Sequence, residues 1–309
     1  MMKKIINKIY DQISSKNHNI RLVLPENNSR IAKAKKKLKE LGFCIVELDD
    51  FKNYENTFFE QSRRLKFAKN WPDNKLKEYI RDPINFGVNI VKSDCADALI
   101  AGSSYPTSHI ARSALRFIGL NNKSNCLSSS FLMVSPNEDR LLSYADCAVI
   151  PEPTDSQLAD IAYDTAMSYK LLTQEIPKVA FLSFSTNSSA EHYRVTKVKK
   201  AIEIFKKKYS NILHEDCEIQ FDAAICPEIA EKKYSKSILR GEANVLIYPN
   251  LDAGNIAYKV TQRIGGYDAI GPLLQGLNLP VHDLSRGCNV DDIIDISLIA
   301  AYQGMYANV

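Results

Sequence analysis

Short apolar runs alternate with stretches of helical periodicity from one end of the chain to the other. After an amphipathic opening helix, residues 21–24 (RLVL) form a brief apolar run stopped by Pro25. Residues 30–41 then carry apolar side chains at helical spacing behind Asn28 or Ser29, either of which can cap the first free backbone N–H groups. Gly42 closes that helix, and residues 43–48 read as the next strand. Strand, helix and strand in that order predict a βαβ unit with parallel strands.

The alternation continues. Residues 49–73 are polar and aromatic with helical character around 58–69, Pro83 opens a helix that runs through Val91, and 98–100 is an apolar strand ending in Gly102-Ser103-Ser104. Thr107 and Ser108 lead a helix that carries Arg112. Strands are predicted at 126–134 and 144–150, the second halted by Pro151 and Pro153, with a turn at 135–140 between them. A helix at 156–172, capped by Asp155 or Ser156, is followed by strand 179–184, helix 191–208 and an apolar segment at 221–225 ahead of Pro227. Residues 245–248 form a strand that feeds a loop and a helix; Gly265, Gly266, Gly271 and Gly276 read as a linker, and 280–284 as the strand before the closing helix. The class is α/β with mostly parallel sheets, and 309 residues imply two domains. If the closing helix packs back on the first sheet, the first domain is 1–127 plus 285–309 and the second, 128–284, is an insertion.

Composition changes this picture little. Hydrophobic residues make up 45% and charged residues 25%, as in an ordinary soluble domain. The net charge is +4, but runs such as KAKKKLKE (33–40) have the form of a solvated helix face rather than a nucleic-acid patch. Seven cysteines without a CxxC pair read as reduced thiols, and neither a secretory signal nor a spanning apolar run is seen, so a cytoplasmic protein with no membrane attachment is expected. The five histidines (18, 109, 192, 214 and 282) share no ligand spacing, and no metal is expected. Phosphate-loop and dinucleotide fingerprints are missing too.

Candidate chemistry gathers at strand ends. The strand at 280–284 delivers Ser285-Arg286-Gly287 to the start of the last helix, placing a hydroxyl, a guanidinium and free N–H groups where an anionic oxygen can be held. Asn289 is a plausible cap, which puts Asp291 and Asp292 in the first turn; acidic residues are favoured there by the helix dipole alone, and Ser285 before a helix is often only a cap. Gly102-Ser103-Ser104 and Thr107 have the makings of an oxyanion cradle. Arg63, Arg64 and Arg112 also fit plain surface charges, and Cys147 and Cys288 are nucleophile candidates without an obvious histidine partner.

These motifs carry a resemblance. KVAFLSFST (178–186), QFDAAICPEIAEKK (220–233), ANVLIYPNLDAGNIAYKVTQR (243–263), GPLLQGL (271–277) and DLSRGCNVDDI (283–293) resemble the phosphate acetyltransferases of the phosphate acetyl/butyryltransferase family, with weaker matches at LPENNSR (24–30) and ADALIAGSSYPTSHIARSAL (96–115). The resemblance implies a three-layer α/β/α fold in two domains with a cleft between them, usually a homodimer. The implied reaction is reversible transfer of an acetyl group between acetyl phosphate and coenzyme A, which is a substrate rather than a resident cofactor. It also implies that Asp292 is the base toward the CoA thiol, that Ser285 and Arg286 bind the reacting groups together with Arg112, and that Arg63 and Arg263 contact substrate. Ser103 and Thr107 are expected beside them. The loop that reads S-T-K-G-S-A in the family reads STNSSA here, and Tyr105 stands where a histidine is usual. Alternatives are butyryl transfer, a cysteine acyl-enzyme on Cys288, and a catalytically weakened binding or regulatory protein that keeps the fold.

Overall fold

The structure, a computed structural model, describes residues 2–16 and 19–307; His18 lies outside them. It divides into two compact units, residues 1–121 with 277–309, and residues 122–276. The first unit opens with α1 (Lys4–Ser15), β1 (Arg21–Val23), α2 (Ser29–Glu40), β2 (Cys44–Val46), α3 (Glu55–Arg63), α4 (Asp73–Arg81), α5 (Pro83–Lys92), β3 (Ala98–Ala101) and α6 (Thr107–Phe117). The second contains β4 (Ser128–Val134), β5 (Leu141–Ala145), α7 (Asp155–Thr173), β6 (Val179–Phe181), α8 (Tyr193–Lys208), α9 (Phe221–Ile225), α10 (Pro227–Lys233), β7 (Val245–Ile247), α11 (Leu251–Arg263) and β8 (Asp268–Gln275). The chain then returns to the first unit as β9 (Val281–Asp283) and α12 (Val290–Ala307).

The first sheet has the order β2-β1-β3-β9 and is parallel throughout. Its strands are short and apolar on both faces, with Leu22, Val23, Ala98, Leu99, Ile100 and Val281 fully buried, as a sheet covered by helices on two sides requires. The chain moves outward from β1 to β2 through α2 and then back across β1 to β3 through α5. Right-handed crossovers therefore put α2 on one face and α5 and α6 on the other. The last helix, α12, packs with α1 and α2, and α5 packs with α6. Asn28 caps α2 by accepting from Arg30 N and Ile31 N, each at 3.1 Å. Because β9 pairs with β3, residues 277–284 belong to the first unit, whereas the sequence placed that join after Leu284.

The second sheet has the order β6-β7-β5-β4-β8, with β4 alone running against the rest. Leu142, Tyr144, Met133 and Phe131 form a core with Ala223, Ala224 and Leu246, against which Ala253, Ala257 and Tyr258 of α11 pack. Three expectations change here. The glycine-bearing stretch read as a linker is the eight-residue strand β8; its register with β4 shifts between Ser130 and Leu132, so Gly271-Pro272 falls at a bulge on an edge strand, where a missing N–H is tolerated. The strand expected at 144–150 stops at Ala145, because the buried Asp146 carboxylate turns back to accept from Ala148 N, Val149 N and Ile150 N. The cap of α7 is Thr154, reciprocated by Gln157, rather than Asp155 or Ser156. Among the described residues no helix is long and apolar enough to cross a membrane.

One buried acid of this unit sets a pH dependence. Asp164 receives the Ser124 hydroxyl at 2.5 Å, and burial pushes its carboxyl up to about 7 against the pull of that bond. A free aspartate titrates near 3.9, so between about 4 and 7 the unfolded chain binds fewer protons and stability falls as pH rises. Asp164→Asn is expected to unfold at a higher temperature than the parent at pH 8, by a few degrees, and to match it at pH 5. Thermal unfolding at both pH values checks this, and an unchanged difference between them would refute it.

Candidate active site

Three loops leave neighbouring carboxyl ends of the first sheet: 24–29 after β1, 102–106 after β3 and 284–289 after β9. The chain reverses direction across the sheet between β1 and β3, the position where open parallel sheets take their ligands. Glu26 is buried there, and its carboxylate accepts from Gly102 N at 2.8 Å, Ser103 N at 3.0 Å and Ser104 N at 2.6 Å. The backbone donors expected to cradle a substrate anion are thus already filled by a side chain of the protein. Asn28 Nδ2 donates to the hydroxyls of Ser103 at 2.8 Å and Ser104 at 3.1 Å. Ser103 is buried under these contacts and is directed to protein rather than to solvent.

Thr107 opens α6 and donates its hydroxyl to Asp283 Oδ2 at 2.5 Å, so it too is turned inward. Burial pushes the Asp283 carboxyl up to about 7, the Thr107 bond draws it down, and Glu26 adds to the rise. The other oxygen of Asp283 lies under Gly102, without a hydrogen-bond partner among the described residues. A Cβ at Gly102 would stand 2.2 Å from it, so only glycine lets the two strand ends sit together.

The turn after β9 presents the expected residues. Ser285, Arg286 and Gly287 are exposed, and the Ser285 hydroxyl accepts from Gly287 N at 3.3 Å. Asn289 and Asp292 cap α12 reciprocally: Asp292 N donates to Asn289 Oδ1 and Asn289 N to Asp292 Oδ2, each at 2.9 Å. One carboxylate oxygen of Asp292 remains without a hydrogen-bond partner among the described residues, while neighbouring Asp291 pairs with Lys37 at 3.1 Å. The guanidinium groups of Arg286 and Arg112 have no hydrogen-bond or ion-pair partner among the described residues, and both side chains are exposed.

The remaining arginines fall elsewhere. Arg63 ends α3 and donates to Ala68 O at 3.0 Å and Trp71 O at 2.6 Å, and it pairs with Asp73. Its guanidinium is committed to tying α3 to the start of α4. Arg263 ends α11 in the second unit, exposed. The two candidate cysteines are poor nucleophiles: burial pushes the Cys288 thiol up, only partly offset by Arg30, and raises Cys147 well above the ordinary range. Cys288→Ala is accordingly expected to keep the parent's turnover within about threefold, because a protonated buried thiol contributes no nucleophile; loss of all activity in a folded variant would reverse this. His282 is buried against Gln303 and pushed down to about 4, so it stays neutral.

Sequence reasoning missed Glu26, Arg30 and Asp283. Arg30 donates to Ser103 O at 3.0 Å, Arg286 O at 2.9 Å and Cys288 O at 2.6 Å. LPENNSR had pointed to a helix cap, and nothing in its spacing tells that Glu26 and Arg30 reach loops on two other strands.

An acid with an oxygen unpartnered among the described residues and a serine-arginine turn follow β9 at the carboxyl edge of a parallel sheet with helices on both faces, the build of an α/β protein with candidate anion-binding groups at the strand ends. The family model described as "Phosphate acetyl/butaryl transferase" matches residues 4–301, and the chain belongs to that family. It is 40% identical over 262 residues to the phosphate acetyltransferase of Acetivibrio thermocellus, covering 84% of this chain and 77% of that one. It is 38% identical over 289 residues to the phosphate acetyltransferase of Bacillus subtilis, covering 92% and 86%. The phosphotransacetylase structure from Streptococcus pyogenes superposes with a TM-score of 0.88 at 34% identity, over 97% of this chain and 99% of that one.

Proposed function

We propose that the protein is a phosphate acetyltransferase that moves an acetyl group reversibly between acetyl phosphate and coenzyme A by direct attack of the CoA sulfur. The observation that carries the reading is the stretch after β9, where an exposed hydroxyl at Ser285, a guanidinium at Arg286 and a carboxylate at Asp292 follow one another, Arg286 and one Asp292 oxygen having no partner among the described residues. A CoA thiol ionises near 8.5, so at neutral pH only a few per cent is thiolate and a positioned base gains about 10²–10⁴ in rate. Asp292 takes the thiol proton, the sulfur–carbon bond forms, and the carbon–oxygen bond to phosphate breaks. Arg286 and Arg112 receive the phosphoryl oxygens with paired N–H donors, and the Ser285 hydroxyl donates to the carbonyl oxygen as its charge grows. Arg63 is given no role in this scheme, because its guanidinium already bonds Ala68 O, Trp71 O and Asp73. Ser103 and Thr107, engaged with Asn28 and Asp283, are given no direct contact with substrate in this scheme.

The test is thioester formation from acetyl phosphate and CoA, run beside butyryl phosphate. Faster turnover of the acetyl substrate is expected. A preference for the butyryl chain would replace the acetyl assignment, and no turnover of either would leave only a binding role. On this reading the enzyme is a cytoplasmic homodimer, and light scattering at micromolar concentration measures its mass.

A further inference from the structure

We infer that Arg30 is a positioning residue for this acetyl transfer, its guanidinium setting the backbone that presents Ser285, Arg286 and the cap holding Asp292. The inference rests on the acetyltransferase reading of that site. Arg30 opens α2 one residue past its start, on the segment leaving β1, yet its donors go to loops from the two other strands: Nη2 to Ser103 O at 3.0 Å, and Nη1 to Arg286 O at 2.9 Å and Cys288 O at 2.6 Å. Each bond is charge-assisted, and a planar guanidinium fixes direction as well as distance. Its Nη1 also approaches Cys288 Sγ at 3.7 Å. No carboxylate pairs with Arg30 among the described residues, and the bonds its guanidinium makes to oxygen all go to backbone carbonyls.

The same segment anchors the other side of the contact. Glu26 holds the N–H groups of residues 102–104 and Asn28 holds the hydroxyls of Ser103 and Ser104. Ser103 is therefore a fixed reference, and Arg30 carries that reference across to the turn after β9. The residue following Cys288 is Asn289, whose side chain and N–H make the reciprocal cap with Asp292. Arg30 thus acts on the two ends of the reactive stretch, the carbonyl of Arg286 and the carbonyl just before the cap. Among the described residues no other side chain donates to either carbonyl, and the Ser285 hydroxyl accepts from Gly287 N within its own turn.

Arg30→Ala and Arg30→Lys test this in the full chain. A lysine carries the charge but reaches one carbonyl at a time. Both variants are expected to lose about 10–100-fold in kcat, as a misplacement near 1 Å does in catalytic sites, with KM for acetyl phosphate and CoA within about threefold of the parent. Millimolar methylguanidinium should restore part of the kcat of Arg30→Ala, and amide exchange at 285–289 should quicken in that variant while the rest of the chain keeps its protection. Parent-like kcat in both variants overturns the inference, as does a fall in kcat that follows the folded fraction with no rescue. If Arg30→Ala does not fold, the kcat and exchange of Arg30→Lys decide. Should the parent itself make no acetyl-CoA, the acetyltransferase reading fails, and amide exchange at 285–289 still settles whether Arg30 holds the turn.

Discussion

Asp292→Asn is expected to lower turnover by about 10²–10⁴-fold, the contribution of a positioned general base, while leaving thermal stability close to that of the parent. The separation of the two effects follows from the double use of this side chain. Oδ2 accepts from Asn289 N at 2.9 Å and so holds the first turn of α12; an asparagine oxygen can do the same. What asparagine cannot do is accept the thiol proton. Asp292→Ala removes both functions, and should add the loss of a helix cap, about 1 kcal/mol, to the same loss of turnover. The pH profile distinguishes them further: as pH rises toward the thiol pKa near 8.5, CoA ionises unaided, so the deficit of Asp292→Asn should narrow. The measurements are thioester formation between pH 6 and 9 and a thermal melt of each variant. Turnover of Asp292→Asn within threefold of the parent would reduce Asp292 to a cap.

Gly102→Ala is expected to be the most disruptive single methyl group in the first unit, costing about 3 kcal/mol or more. Two costs add. The backbone at Gly102 has φ +115, where an L side chain is strained by on the order of 1–3 kcal/mol. The new Cβ would also lie 2.2 Å from Asp283 Oδ1, 2.7 Å from Leu284 N and 2.9 Å from Leu284 O, so β3 and β9 must part where Leu284 N donates to Ala101 O at 2.7 Å. Gly42→Ala supplies the control: its φ is +92, but nothing lies within 4 Å of the added carbon, and only the backbone cost of about 1 kcal/mol applies. Urea unfolding of the two variants compares them directly. Equal losses would show that the close approach of Gly102 to Asp283 is not what holds this corner.

Much of the architecture was legible because it rests on local signals. Pro83 starts α5, Asn28 caps α2 and Gly42 ends its turn, all from residue chemistry within a few positions. The last helix was legible in the same way, since Asn289 and Asp292 are three residues apart and cap each other. Where expectation and structure part, distant partners decided. Gly271 and Pro272 argue locally for a linker, and β8 forms there because β4 offers a full edge to pair with and a bulge takes up the irregular residues. Residues 146–150 are apolar enough for a strand, but Asp146 captures their N–H groups. Arg63 looked like a free cation, and its acceptors at Ala68, Trp71 and Asp73 come together only once α3 and α4 have packed.

The candidate site divides along the same line. Sequence alone determined which chemical groups stand at the end of β9: a hydroxyl, a guanidinium and, seven residues past Ser285, an acid in a first turn, because strand, turn and cap are set by neighbours in the chain. Only the tertiary structure decided which donors stay open. Gly102, Ser103 and Ser104 form an anion cradle by composition, yet the parallel order β1-β3-β9 brings Glu26 into it and turns Thr107 toward Asp283. The physical reason is that a hydrogen-bonding group is spent on whichever partner packing places within about 3 Å, and for Glu26, Arg30 and Asp283 those partners lie on other strands.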